Sequence, residues 1–230
     1  MKNLLLTLII IFFFLSNTYA QNFEWFKKYG NNGYNIAQSI TMLESNIVHG
    51  GWLNDTLVYN LDTLISNGEA DGYISIMDSA GNCIKSINWG GQSFDATDFI
   101  GSTNNSLILS GHTASQNYKI LGNQYQKTSS SQDVFIAKLD DSLTNVEWVI
   151  NDYNNGSLNY NNSMCIFDTL INISGFYGNF ETRTYSTDGI LQWKKEYQTS
   201  NSVLSTLDST GIYTVIDSFC KLPLFRTGCK

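Results

Sequence analysis

Asp95 and Asp98, in the stretch "SFDATDF", are two carboxylates three residues apart, and paired carboxylates are the working parts of a glycosidase. Such an enzyme holds its two carboxyl groups roughly 5 to 9.5 Å apart across the sugar, one as acid and one as base or nucleophile. A three-residue spacing in a loop does not set that distance, and the Asn-rich text at matching places elsewhere supplies no partner. Loop capping is the expected role of both. His49 and His112 could each ligate a metal or carry a proton. They lie on either side of a repeated strand-end glycine, so their side chains are expected on opposite faces and not at one site. Cys83, Cys165, Cys220 and Cys229 form no Cys-x-x-Cys pair, and two histidines are too few for a Cys/His zinc site. The glycines of "GNNG" and "GG" lack the Lys-Ser/Thr of a phosphate loop.

Asp71 and Asp133 each stand at the entry to a similar apolar stretch. A carboxylate there accepts backbone N–H bonds from the preceding turn. The dense Asp-x-Asp-x-Asp-Gly spacing of a calcium loop is absent. The residues therefore predict no catalytic group, no metal and no cofactor. What remains is a set of candidate binding aromatics: Trp52, Tyr177 and, near the matching place, His112. Each lies just beyond a repeated small residue, and rings on one rim would offer flat surfaces to a sugar or a protein.

Those residues are positioned by a repeat. Trp25, Trp89, Trp148 and Trp193 each precede an apolar strand ending in a small residue: "NIVHG" to Gly50, "LILSG" to Gly111, "INISG" to Gly175 and "TVIDS" to Ser218. The intervals are 25, 22, 27 and 25 residues, which marks a unit of fixed geometry seen about three and a half times. Copies are expected near 25–88, 89–147, 148–192 and, in part, 193–230. The third is shorter, lacking an insertion written "NDTLVYNLDTLISNGEA" in the first and matched by Lys119 to Gln132 in the second. Within the units apolar residues alternate with period two, and "DSAGN" and Asp188-Gly189 supply hairpin turns. No window carries a capped period of 3.6 residues.

The chain is thus predicted to be all-β, built of tandem four-stranded β-propeller-like blades in an incomplete ring. The repeated glycines would allow close approach near the channel, and the tryptophans would plug the space between blades. Three and a half blades leave an exposed edge. That predicts a fragment of a longer protein, or completion of the ring by another chain.

"DGYISIMDSAGNCIKSINWGG" and "SQDVFIAKLDDSLTNVEW" resemble the bacterial secreted β-propeller repeat family. Its pattern runs Asp-x-Phe-x-x-Lys-Leu-Asp-x-x-Gly-Asn-x-x-Trp, then Gly-Gly. Asp133, Phe135, Lys138, Leu139, Asp140 and Trp148 match it, as do Asp71, Tyr73, Asp78, Gly81, Asn82, Trp89, Gly90 and Gly91. The resemblance spans about Trp25 to Trp193. It implies a propeller on an exported protein, often within a large surface chain, and it transfers no catalytic residue.

The ends and composition bound the rest. Lys2, the apolar run Leu4 to Leu15 and Thr18-Tyr19-Ala20 read as a signal peptide over residues 1–20, cleaved before Gln21. The run is shorter than the roughly 20 residues a bilayer requires. Loss of Lys2 leaves 12 basic against 20 acidic side chains, net −8. With no basic cluster, nucleic acid and anionic lipid are excluded as expected partners. Secretion or cell-surface display is expected, with Cys220 and Cys229 able to close a small disulfide and Cys83 and Cys165 acting as small apolar residues. The expected function is a non-enzymatic binding, adhesion or structural module for an unknown protein or glycan. A propeller-fold carbohydrate-active hydrolase is the alternative.

Overall fold

The computed structural model describes residues 25–30, 33–59, 62–103, 105–151, 160–198, 203–216 and 225–227. The expected leader with Gln21, and Ser218, Cys220, Pro223 and Cys229, lie outside them. No α-helix occurs among the described residues. The first sheet starts with β1 (Asn35–Leu43) and β2 (Asn46–Leu53), continues after a hairpin of β3 (Thr56–Val58) and β4 (Thr63–Ile65), and ends with β5 (Asp71–Met77) and β6 (Cys83–Trp89). The second repeats this plan: β7 (Asp95–Thr103), β8 (Ser106–Thr113), a hairpin of β9 (Asn117–Ile120) and β10 (Asn123–Gln126), then β11 (Asp133–Asp140) and β12 (Val146–Ile150). The third, β13 (Tyr160–Phe167), β14 (Leu170–Phe176), β15 (Phe180–Ser186) and β16 (Leu191–Tyr197), has no hairpin. A fourth shows β17 (Val203–Asp208), β18 (Gly211–Ile216) and β19 (Phe225–Thr227).

Each sheet is an antiparallel meander, and the first strands β1, β7, β13 and β17 lie side by side. That is propeller geometry: first strands line the axis and last strands face outward. Among the described residues the contacts run from β1 to β17 without closing into a ring. The two insertions are the outer hairpins β3–β4 and β9–β10.

Sequence and register differ on the repeated glycine. Pairing aligns Gly51, not Gly50, with Gly111 and Gly175, opposite Ala37, Thr97 and Asn161. One residue further along each first strand the register slips, a β-bulge at Gln38, Asp98 and Asn162. The bulge brings the carbonyl two residues before it onto the glycine: a Cβ on Gly51 would lie 1.8 Å from the Ile36 oxygen, on Gly111 2.6 Å from that of Ala96, and on Gly175 2.2 Å from that of Tyr160. Glycine is needed by a neighbouring strand's bulge, not by a channel.

The tryptophans also divide. Trp25 donates from Nε1 to the Ser79 carbonyl (2.7 Å) and lies against Gly81, at the β5–β6 turn. Trp148 does the same two sheets further on, donating to Thr187 O (3.2 Å) beside Gly189 at the β15–β16 turn. Trp193 holds the register of Trp148, each lying one residue past the slip in its last strand. Lys85 holds that place in the first sheet, and Trp89 lies four residues beyond it, paired with Gly72. Trp89 is instead enclosed between the first two sheets, edge-on to Phe135 (4.8 Å) and donating to Thr97 Oγ1 (2.9 Å). The second, third and fourth predicted copies therefore start on the outer strands β6, β12 and β16, ahead of the next sheet's own first strand.

The largest core lies in that joint. Leu43, Val48, Ile74 and Ile76 of the first sheet meet Ile100, Leu107, Leu109, Phe135 and Leu139 of the second, with Tyr118 and Ile120 of the β9–β10 hairpin at its outer end. A second core, around Ile108, Val134, Ile136, Ile171 and Ile173, joins the second and third sheets. These two cores are shared between neighbouring sheets, whereas a third, of Leu53, Leu57, Leu64, Tyr73 and Met77, forms between the first sheet and its own β3–β4 hairpin.

Candidate binding rim

At the end of the second strand, one residue past the bulge glycine, register places a ring in each of the first three sheets: Trp52, His112 and Phe176, opposite Ile36, Ala96 and Tyr160. All three are partly exposed. Phe94, just before β7, bridges the first two. Its ring meets Trp52 edge-on at 5.2 Å and stacks on His112 at 5.6 Å with 15° between planes. The His112 Nδ1 lies 2.9 and 3.0 Å from the two carboxylate oxygens of Asp98. Asp98 is the extra residue of its bulge, a device that re-aims a side chain. The bulge thus supplies a carboxylate that fixes the imidazole, and the imidazole extends the aromatic row from one sheet to the next. In the third sheet Phe176 stacks on Tyr160 (5.8 Å) and meets Phe180 edge-on (5.1 Å).

Tyr177 is not on this surface. It is 1% exposed, its hydroxyl donates to Asn161 Oδ1 (2.5 Å), and Arg183 lies 5.0 Å above its ring. Burial drives its hydroxyl pKa well above the ordinary value. Phe176 takes the place in the row that the sequence assigned to Tyr177. The shift is one residue, and one residue in a strand is the opposite face.

The candidate aspartates are enclosed. Asp71 accepts bonds from the Asn67 backbone (3.1 Å), the Asn67 side chain (3.0 Å) and Asn88 Nδ2 (2.9 Å). Asp133 closes the corresponding loop of the second sheet through Thr128 Oγ1 (2.8 Å) and the Ser129 backbone (2.9 Å). Asp95 accepts from Gly91 N (2.7 Å), Ser115 Oγ (2.7 Å) and Thr113 Oγ1. Burial raises the carboxyl pKa of both Asp71 and Asp95, against these bonds. All three are fully buried. Asp95 is thus shut in the loop, whereas Asp98 meets His112.

His49 lies apart from His112, edge-on to Tyr73 (5.6 Å) with its buried Nε2 unpartnered. No group of three metal-ligating side chains is present among the described residues. Cys83 and Cys165 are free, partly buried thiols. A cleft of about 700 Å³ opens over β6 between the two hairpins, walled by Leu64, Asn88, Gly90, Lys119 and Leu121. Sequence reasoning missed Phe94, Phe176 and the buried pair Glu181–Arg183, whose Nε–Oε2 distance is 2.7 Å. Only the bulge register, invisible in residue spacing, singles out Phe176, and only the ring contacts with Trp52 and His112 single out Phe94.

These features define a class: an all-β, propeller-like array of antiparallel meander sheets, three of them four-stranded, not closed into a ring among the described residues, with a ring-bearing rim. No protein-family model matches the chain, and no curated protein matches it. Among solved structures it is similar to BamB from Moraxella catarrhalis, at 10% identity and a TM-score of 0.33, over 76% of this chain and 68% of that one. The class rests on strand order and register, not on that distant likeness.

Proposed function

We propose that this protein is an exported, non-enzymatic binding module that presents the rim of Trp52, Phe94, His112 and Phe176 to a glycan or a protein. The observation that carries the reading is the ring at one register position in three consecutive sheets. Core packing does not require rings there, because all three are partly exposed. Flat rings with a fixed polar tip, here His112 held by Asp98, suit the faces and hydroxyls of sugars or a protein's apolar anchors.

Export follows from the leader read in residues 1–20, and secretion or surface display from export. The resemblance to the bacterial secreted β-propeller repeat family favours the same reading, including a place in a longer surface protein. No helix among the described residues is long and apolar enough to cross a membrane. The rival hydrolase reading requires two open carboxylates, and Asp95 is committed to its loop. The open ends of the array favour completion by another chain.

The test uses the leaderless chain on a glycan array and on a panel of cell surfaces. Trp52→Ala and Phe176→Ala are expected to weaken binding at least tenfold while Tyr177→Phe leaves it unchanged. Binding by the two alanine variants equal to that of the parent would dispose of the rim as the site.

A further inference from the structure

Among the described sheets the same joint is made three times, and its two halves recur uncovered on the first and the fourth sheet. At the joint between the first and second sheets, Ile100 of the incoming inner strand packs over Gly50, where a Cβ would lie 2.5 Å from its Cδ1. Ser39 Oγ accepts from Ile100 N at 2.9 Å. Between the third and fourth sheets Ser163 Oγ accepts from Ser205 N at 3.0 Å and reaches Ser205 O at 3.2 Å. Ser205 therefore stands where Ile100 stands. By the same register Leu204 and its cross-strand partner Val215 stand where Ser39 and Gly50 stand, on the receiving face.

The incoming position in the first sheet is Ile40, opposite His49 as Ile100 is opposite Leu109. Ile100 is 6% exposed, but Ile40 is 70% exposed and Met42 53%. On the fourth sheet Leu204 and Val215 are 45% and 48% exposed. Among the described residues the first sheet therefore shows an incoming face without a receiver and the fourth a receiving face without an incomer, both apolar at the centre.

We propose that the two faces meet between two copies of this chain, head to tail, so that Ile40 and Met42 of one copy pack on Leu204 and Val215 of the other. The joint is heterologous, yet with two copies both joints are made at once and the ring closes about a two-fold axis along the channel. The four described blade sheets of each copy give eight, within the four to eight blades of closed propellers. The inference rests on the propeller reading and on the open ends, not on what the rim binds. Failure of the glycan test leaves it standing.

Sedimentation and light scattering of the leaderless chain test it. The parent is expected at twice the monomer mass. Ile40→Asp and Leu204→Asp each place an unpaired carboxylate in the joint and should raise the dissociation constant on the order of a hundredfold. Both positions are exposed in one copy, so the circular-dichroism spectrum should not change. Mixing the two variants should restore dimers, because the intact Leu204 end of one meets the intact Ile40 end of the other. A parent that stays monomeric at its highest soluble concentration overturns the proposal. So does a Leu204→Asp variant that stays dimeric, which would mark a like-on-like interface.

Discussion

The second and third sheets start alike and part company after their second strand. In the second, β8 leads into the β9–β10 hairpin, and Phe135 and Ala137 lie fully buried beneath it. In the third, β14 turns straight into β15, and the same register positions, opposite the bulge glycine and two residues on, hold Glu181 and Arg183. Glu181 is 1% exposed and is paired to Arg183 and, at 3.1 Å, to Lys194. The hairpin is a roof. Under it a blade face can be dry and aromatic; without it the outer part of the face is filled by charges that answer one another and by Tyr177. An insertion that looks dispensable by length therefore decides the chemistry of the strand it precedes.

The comparison breaks most visibly at Trp89, the ring that fills the roofed joint. Trp89→Ala should cost about 4 kcal/mol in denaturant unfolding, whereas Trp148→Ala, half-exposed at a turn, should cost about 1–2 kcal/mol. Equal losses would mean the two indoles do one job after all. At the unroofed joint, Arg183→Met leaves Glu181 buried with only Lys194 and should cost about 3 kcal/mol. The double change Glu181→Phe with Arg183→Ala copies the second sheet and should recover most of that loss, since replacing a buried pair by apolar groups is often neutral. If the double variant is no better than the single, the charges do more than fill space.

His49 sharpens the comparison on the first sheet, because the matching positions hold Leu109 and Ile173. Burial lowers its imidazole to about 4 from an ordinary 6.5. The unfolded chain therefore takes up a proton first as the pH falls. Stability is kept above about 6.5 and declines, on the order of 2–3 kcal/mol, toward pH 4. His49→Leu should flatten that slope in thermal melts across the same window and raise stability at every pH in it. The smallest effect is at the β11–β12 turn. Burial is the largest single influence on the Asp140 carboxyl and pushes it up, but bonds from Ser142, Thr144 and the Asn145 backbone together outweigh it and hold the group at about 2. Its contribution is present above about 4 and is lost as the pH falls through 2, a loss that Asp140→Ala should remove from the acid limb of the melting curve.

Much of the architecture is legible before any coordinates. Period-two alternation, the Asp-bearing turns closed by Gly81 and Gly189 at positive φ, and the missing third insertion all follow from local chemistry. The errors share one cause. Interval counting carried Gly50 for Gly51, Trp89 for the place of Lys85, and Tyr177 for the ring position of Phe176. Each slip reflects a bulge or a loop of unequal length that shifts spacing without changing composition.

Residue types and their spacing, by themselves, determined that this chain makes strands, that the strands come in repeating meanders, and that those meanders must lean on one another. Those are properties of single strands and turns, set by side-chain alternation and by glycine's access to positive φ. Only tertiary structure decided which face each ring occupies, that Asp98 holds His112 while Asp95 is sealed away, and that Ile40 and Leu204 are left uncovered. The reason is that a one-residue bulge reverses the outward face of everything beyond it, and a bulge is fixed by pairing between strands far apart in the chain.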